Sequence, residues 1–242
     1  MFKFLKNIMN NNDSSSTKDV FSVHRILKTD IKKIPNPQED EIIFGCGCFW
    51  GAEKCFWKLP GVVTTSVGYA GGKKSDPTYY EVCSGLTGHS EVVRIIWNKS
   101  EIDISDLLKM FWECHNPTQK NRQGNDIGTQ YRSAIYYKSE HNKKIILASR
   151  EQYQKELDKK NLGLIETEIK MIDSYFYAEH SHQQYLASAG SRQYCSASPT
   201  KVKLGSFAGS NYKLNDYIWE NFNWEVDKCV LRSDNNPIKI NN

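Results

Sequence analysis

Ile42-Ile43-Phe44-Gly45-Cys46-Gly47-Cys48-Phe49-Trp50-Gly51 is the stretch on which the reading of this chain turns. A short apolar run closes at Gly45, two cysteines follow, and Ala52-Glu53-Lys54-Cys55-Phe56-Trp57-Lys58-Leu59 then runs into Pro60 and Gly61. The first run predicts a strand over 41–46 and the second a short helix over 52–59, stopped by the Pro-Gly pair. Cys48 then falls where a buried strand hands over to a helix N-terminus. Free backbone N–H groups and the positive end of the helix dipole gather there. Both favour thiolate over thiol, which predicts a lowered pKa and a nucleophilic sulfur. The plain alternative is an inert buried thiol, the commonest fate of a free cysteine. Two adjacent aromatics, Phe49 and Trp50, at a solvent-reachable turn argue against it.

Working outward, Val62–Tyr69 is rich in Val and Thr and predicts a second strand, and Glu91–Trp97 a third, apolar almost throughout. Between them, 71–90 reads as a long functional loop of Gly, Pro, Ser and Asp. Ser105 opens a helix with Leu107, Leu108, Phe111 and Trp112 as its apolar stripe, and 115–131 is another polar loop. Ser133–Tyr137 predicts a fourth strand, Ser139 caps a helix over about 140–160, and Glu166–Ile172 predicts one more strand. The order β-α-β-β-α-β is that of a split βαβ, ferredoxin-like arrangement. It predicts an α+β protein: a two-layer α/β sandwich with a mostly antiparallel sheet. Periodicity fades after 190, so a long irregular C-terminal wrap is expected, with a short helix near 216–222.

Composition bounds the rest. A chain of 242 residues, 39% hydrophobic and 25% charged, fits one globular domain or two small ones. No apolar run approaches a membrane span, and a net charge of +4 without a basic, aromatic-interleaved stripe gives no case for nucleic acid. Seven cysteines without a Cys-x-x-Cys pair speak for a reducing compartment with working thiols rather than a secreted disulfide framework. Residues 1–40 read as a flexible extension and linker, polar over 10–16 and ending in Pro35-Asn36-Pro37, ahead of a catalytic domain over 41–200 and a tail over 201–242. The N-terminus has neither a secretory core nor arginine, so the expected location is cytoplasmic, with an organelle left open.

The motif Gly47-Cys48-Phe49-Trp50-Gly51 resembles the active-site motif of the class A peptide methionine sulfoxide reductases, which reduce the S epimer of methionine sulfoxide. Residues 68–72 (GYAGG), 77–85 (PTYYEVCSG), 87–93 (TGHSEVV), 122–133 (RQGNDIGTQYRS) and 182–186 (HQQYL) are similar to the family in the same order and spacing, from about 41 to 200. The resemblance implies a two-layer sandwich and a set of roles. Cys48 attacks the sulfoxide sulfur. Glu91 protonates its oxygen, a task that suits a carboxyl kept neutral by an apolar pocket. Tyr79 and Tyr131 hydrogen-bond that oxygen, as neutral phenols can. Asp126 orients the site, although its Gly-Asn-Asp setting would also support an Asx turn. Phe49 and Trp50 cage the methyl group. The sulfenic acid left on Cys48 condenses with Cys195, the resolving cysteine, on a mobile segment over 188–198. Thioredoxin, an external dithiol protein, or a small dithiol reopens the disulfide. Oxidised proteins and free methionine sulfoxide are the substrates, the protein acts as a monomer, and no bound cofactor or metal is implied.

Cys229 is a candidate second relay thiol, whereas Cys46, Cys55, Cys83 and Cys114 read as structural. Two rivals stay open at this level. His89-x-Glu91 has the look of a zinc deaminase motif but lacks the Pro-Cys-x-x-Cys that completes it. A redox sensor with one oxidisable thiol would not need Tyr79, Glu91 and Tyr131 together. His180 and His182 are two apart, a spacing that does not share a helical face, so packing and hydrogen bonding are expected of them.

Overall fold

The hydrophobic run at 42–46 becomes the middle of the protein. In a computed structural model of the chain, which describes residues 22–172, 174–226 and 229–240, it lies in β1 (Glu39–Cys46). The described residues form eight strands and six α-helices, β1 being followed in order by α1 (Phe49–Trp57), β2 (Val62–Ala70), α2 (Tyr79–Cys83), β3 (Ser90–Asn98), α3 (Ile104–Cys114), β4 (Arg122–Gln123), β5 (Asp126–Ile127), β6 (Ser133–Tyr137), α4 (Glu140–Asp158), β7 (Glu168–Met171), β8 (Tyr175–Tyr177), α5 (Asp216–Glu220) and α6 (Cys229–Arg232). Six strands form one sheet in the order β7-β6-β1-β3-β2-β8, and β4 pairs with β5 in a separate hairpin. Every pairing in the large sheet is antiparallel except β6 with β7. The strand pairs β1/β2 and β3/β6 are each linked through a helix, and each pair is separated by one strand from the other pair. This is the expected α+β fold with a mostly antiparallel sheet.

Alternation along the strands sends one set of side chains to each face. Ile42, Phe44, Val67, Val93, Ile95 and Ile135 face the helices, where they meet Phe56 of α1, the Leu107–Trp112 stripe of α3 and Tyr153 of α4. Phe44 lies 5.3 Å from Phe56 and 4.8 Å from Phe111, centroid to centroid. The other face carries a smaller cluster, Ile43, Ala70, Val92, Ala134 and Tyr136. The C-terminal stretch wraps the helical layer and adds Val202, Leu204, Leu214, Ile218 and Val230 to the main core. It also pins α1: Lys54 Nζ donates to Ser233 O at 2.8 Å and Trp57 Nε1 to Asn235 O at 3.0 Å.

Several details differ from the expectation. α1 starts at Phe49 rather than Ala52, because Cys48 is its N-cap and Phe49, Trp50 and Gly51 form its first turn. α3 is capped by Asp103, whose carboxylate accepts from Ser105 N, so Ser105 lies inside the helix. The loop at 71–90 contains α2, held by a Thr78–Glu81 capping box; at five residues it is too short to show a period. The tail expected over 1–20 lies outside the described residues, whereas from Ser22 the segment read as linker packs on the sheet. Ile31 and His24 are fully buried, His24 Nε2 bonds Thr65 Oγ1 at 2.9 Å, and Thr29 Oγ1 donates to Val63 O at 2.7 Å. Composition alone did not reveal two inward-facing residues among so many polar ones. Among the described residues no helix is long and apolar enough to cross a membrane.

Arg94 anchors this segment from β3. Its Nε donates to Glu41 at 2.7 Å and its Nη2 to Lys33 O at 3.0 Å, and Lys138 also reaches Glu41. Removing one partner of a buried pair leaves the other charge stranded. Arg94→Ala is therefore expected to cost about 3 kcal/mol, the low end for such pairs because Lys138 still faces Glu41. Equilibrium urea unfolding checks this.

Candidate active site

Gly47 has a φ of 87°, a left-handed conformation that turns the chain from β1 into α1 and that suits glycine. That turn leaves Cys48 at the helix N-cap with 8% of its surface exposed. Glu91, second residue of β3, stands opposite Tyr69 in the register and shares its sheet face with Val93 and Ile95, the face toward the helices. There its carboxylate accepts the Phe49 N–H at 3.1 Å, one of the unpaired donors of the first helical turn. Burial pushes Glu91 up to about 8, opposed by that N–H bond and reinforced by the nearby Asp126. At neutral pH it is mostly the uncharged acid.

Cys48 corrects an expectation. Its pKa is raised, not lowered: burial in the site is the largest cause and the Glu91 carboxylate the next, while the Trp50 backbone N–H pulls the other way. The helix terminus does act on the sulfur, but one N–H bond does not offset the loss of water. The resting group is a thiol.

The other residues named from the sequence gather here. Tyr79 opens α2 and Tyr131 ends a short 3-10 turn, and both hydroxyls feel Glu91 and each other's neighbourhood, with burial raising both pKa values. Asp126, 2% exposed, takes the Tyr194 hydroxyl on Oδ1 at 2.7 Å, while its buried Oδ2 finds no hydrogen-bond partner among the described residues. Phe49 is buried, and Trp50 is half-buried, its ring stacked at 3.9 Å on Tyr185. Cys195 is 2% exposed and Cys229 partly so, with Cys229 pushed up to about 12 by burial and then by Cys55 and Cys195.

Other residues were not placed in the site from the sequence, although packing and hydrogen bonding were expected of His182. His182 lies 4.4 Å from Tyr79 and 5.5 Å from Phe49, and its Nδ1 accepts from Trp50 Nε1 at 3.2 Å. Burial holds it down to about 4, so it is a neutral wall. Glu179 positions two tyrosines, taking Tyr69 Oη at 2.7 Å and Tyr79 N at 2.8 Å. Cys83, read as structural, lies within hydrogen-bonding reach of the Tyr79 hydroxyl one turn away on α2. Only the register of Tyr79 and Cys83 at i and i+4 could have hinted at this.

Metal-ligand spacing occurs among the described residues at Cys46, Cys114 and His115, whose donor atoms lie within 4.8 Å of one another. Both His115 nitrogens are engaged: Nδ1–H donates to Phe111 O at 2.7 Å, which leaves Nε2 to accept from Ser133 Oγ at 2.7 Å. The group serves as a hydrogen-bonded piece of core. His89 is engaged likewise, by Gly72 N and Lys74 O, which removes the His-x-Glu pair from a metal role.

A buried thiol, a neutral acid and an aromatic wall converging on one helix N-terminus define a thiol-based reductase. A family model described as peptide methionine sulfoxide reductase matches residues 40–213. The peptide methionine sulfoxide reductase MsrA of Vibrio vulnificus is 52% identical over 180 residues, covering 74% of this chain and 86% of its own. That of Azotobacter vinelandii is 55% identical over 164 residues, 68% of this chain and 76% of its own. The solved methionine sulfoxide reductase A of Corynebacterium diphtheriae superposes with a TM-score of 0.64 at 37% identity, covering 80% of this chain and 99% of its own. Reduced Mxr1 of Saccharomyces cerevisiae gives 0.61 at 32%, covering 68% and 92%. The chain belongs to the peptide methionine sulfoxide reductase family.

The raised Glu91 makes a stability prediction. Between the unfolded value of 4.5 and the folded value of about 8 the native state holds the extra proton, so stability falls as pH rises across that window. Glu91→Gln lacks this slope. Its unfolding free energy should gain on the wild type from pH 5 to 8 and hold a constant lead above, on the order of a few kcal/mol, as read by equilibrium urea unfolding across that pH range.

Proposed function

We propose that this protein reduces methionine S-sulfoxide, protein-bound and free, to methionine, with residues 41–200 as the catalytic domain and 201–242 as its wrap. The observation that carries the reading is the buried Glu91 carboxyl of β3, bonded to the Phe49 N–H in the first turn of the helix that Cys48 caps. Phe49 and Trp50 hold the substrate methyl, and the Tyr79 and Tyr131 hydroxyls receive the sulfoxide oxygen. As the Cys48 sulfur attacks, the oxygen takes the Glu91 proton and the Glu91 carboxylate takes the thiol proton. The S–O bond of the substrate breaks as the oxygen, now a hydroxyl, bonds to the Cys48 sulfur; the substrate sulfur gains the two electrons that Cys48 gives up, and Cys48 is left as a sulfenic acid. Asp126 and Tyr194 keep the polar side of the site in place.

Cys195 then attacks the sulfenic sulfur, a disulfide forms, and the hydroxyl departs as water with the Cys195 proton. Thioredoxin reopens the bond, directly or through Cys229, whose partial exposure and nearness to Cys195 suit a relay. Every electron in the cycle comes from sulfur. The protein acts as a cytoplasmic monomer.

Incubation with dithiothreitol and racemic methionine sulfoxide, followed by chiral separation, should show loss of the S epimer alone. Consumption of neither epimer, or of the R epimer, overturns the reading. Cys48→Ser should abolish turnover. The first-turnover rate should fall as pH passes about 8, where Glu91 loses its proton, and in Glu91→Gln that dependence should vanish with most of the rate. Cys195→Ser should make about one methionine per enzyme with thioredoxin but many with dithiothreitol.

A further inference from the structure

Three glycines border the segment that carries Cys195, and two of them have a backbone reason to be glycine: Gly47 and Gly124 have φ values of 87° and 55°. Gly51 has none. It is the third residue of α1, with ordinary helical geometry, where alanine would favour the helix by about 1 kcal/mol. What alanine would meet there is Cys195. A methyl built at Gly51 lies 2.5 Å from Cys195 Sγ, closer than real contacts allow, and a tight 3.1 Å from its Cβ. We propose that Gly51 is a positioning residue for disulfide closure, its missing side chain forming the seat on which the Cys195 sulfur rests.

The inference builds on the reading of Cys195 as the resolving thiol. Cys48 is the N-cap and Gly51 lies three residues on, so the two positions are neighbours on one helix face, where Cβ atoms stand about 5–6 Å apart. A disulfide brings its Cβ atoms to about 3.8 Å. A thiol seated on Gly51 therefore has only a short slide to make. The segment is held from the other side as well. Ser198 N donates to Gln123 Oε1 at 3.0 Å, Ala197 N to Cys195 Sγ at 3.4 Å, and Tyr194 to Asp126. A Cβ on Gly124 would strike the Ser196 carbonyl. In this structure the Cys195 segment, expected to be mobile over 188–198, is docked by these contacts. The step it serves is balanced by the Cys48 sulfenic acid and the Cys195 thiol alone: the Cys48 S–O bond breaks, the S–S bond forms, and water carries off the hydroxyl and the Cys195 proton.

Gly51→Ala tests this by rapid quench with methionine S-sulfoxide, following methionine and disulfide separately. Disulfide closure should slow on the order of a hundredfold, the scale for a misplaced reacting group, while methionine formation loses far less. The sulfenic acid should accumulate and be captured by dimedone. Closure at the wild-type rate, or equal slowing of both steps, overturns the proposal. A wild type that forms no methionine would instead overturn the functional reading. Should Gly51→Ala fold poorly, a double-mutant cycle with Cys195→Gly decides. The drop in melting midpoint caused by the alanine should shrink once the side chain it strikes is gone, and an undiminished drop places the clash elsewhere.

Discussion

The hydrogen bond from Phe49 N–H to the Glu91 carboxyl is the contact on which the site depends. It joins the start of β3 to the first turn of α1, and so sets the distance between the acid and the sulfur. The bond also explains why a carboxyl can be buried here at all. An uncharged acid with one of its oxygens satisfied by a helix terminus costs far less than a stranded carboxylate. The sheet supplies the strand, the glycine turn supplies the helix start, and the proton held between them is the consequence.

A second buried carboxyl supports the aromatic wall. Glu53, one turn below Phe49, accepts from Gln184 N and Nε2, each at 2.8 Å, and from Thr65 Oγ1 at 3.0 Å. Burial lifts it to about 7. Gln184 sits between His182 and Tyr185, the two rings that line Trp50, so Glu53 holds the turn that holds the rings. Thr65 continues the chain to His24, whose Nδ1 accepts the N–H groups of Ile26 and Leu27. A packed N-terminal segment thereby belongs to the same network as the aromatic wall.

The apolar runs made the strands legible because alternation and length depend on local sequence alone. Cys48 at the strand-to-helix junction was legible for the same reason, whereas Glu91 stood out only through the resemblance to the family. What escaped was decided by neighbours distant in the chain. The direction of the Cys48 shift depends on how much water is lost and on a carboxyl 43 residues away. The docking of Cys195 depends on an empty position in α1, which a sequence shows only as one more glycine. His24 and Ile31 were hidden in a polar segment because two anchoring residues barely change a composition.

The masked state of Cys48 has a chemical consequence of its own. Peroxides and electrophiles react with thiolates, and sulfur kept protonated inside an aromatic pocket offers them little. In the proposed reading, activation waits for a ligand that brings its own oxygen to Glu91. Selectivity of this kind matters for a sulfur that passes through a sulfenic state, because over-oxidation to the sulfinic acid is a dead end. The burial that raises the Cys48 pKa thus also screens the protein from the oxidants that create its substrate.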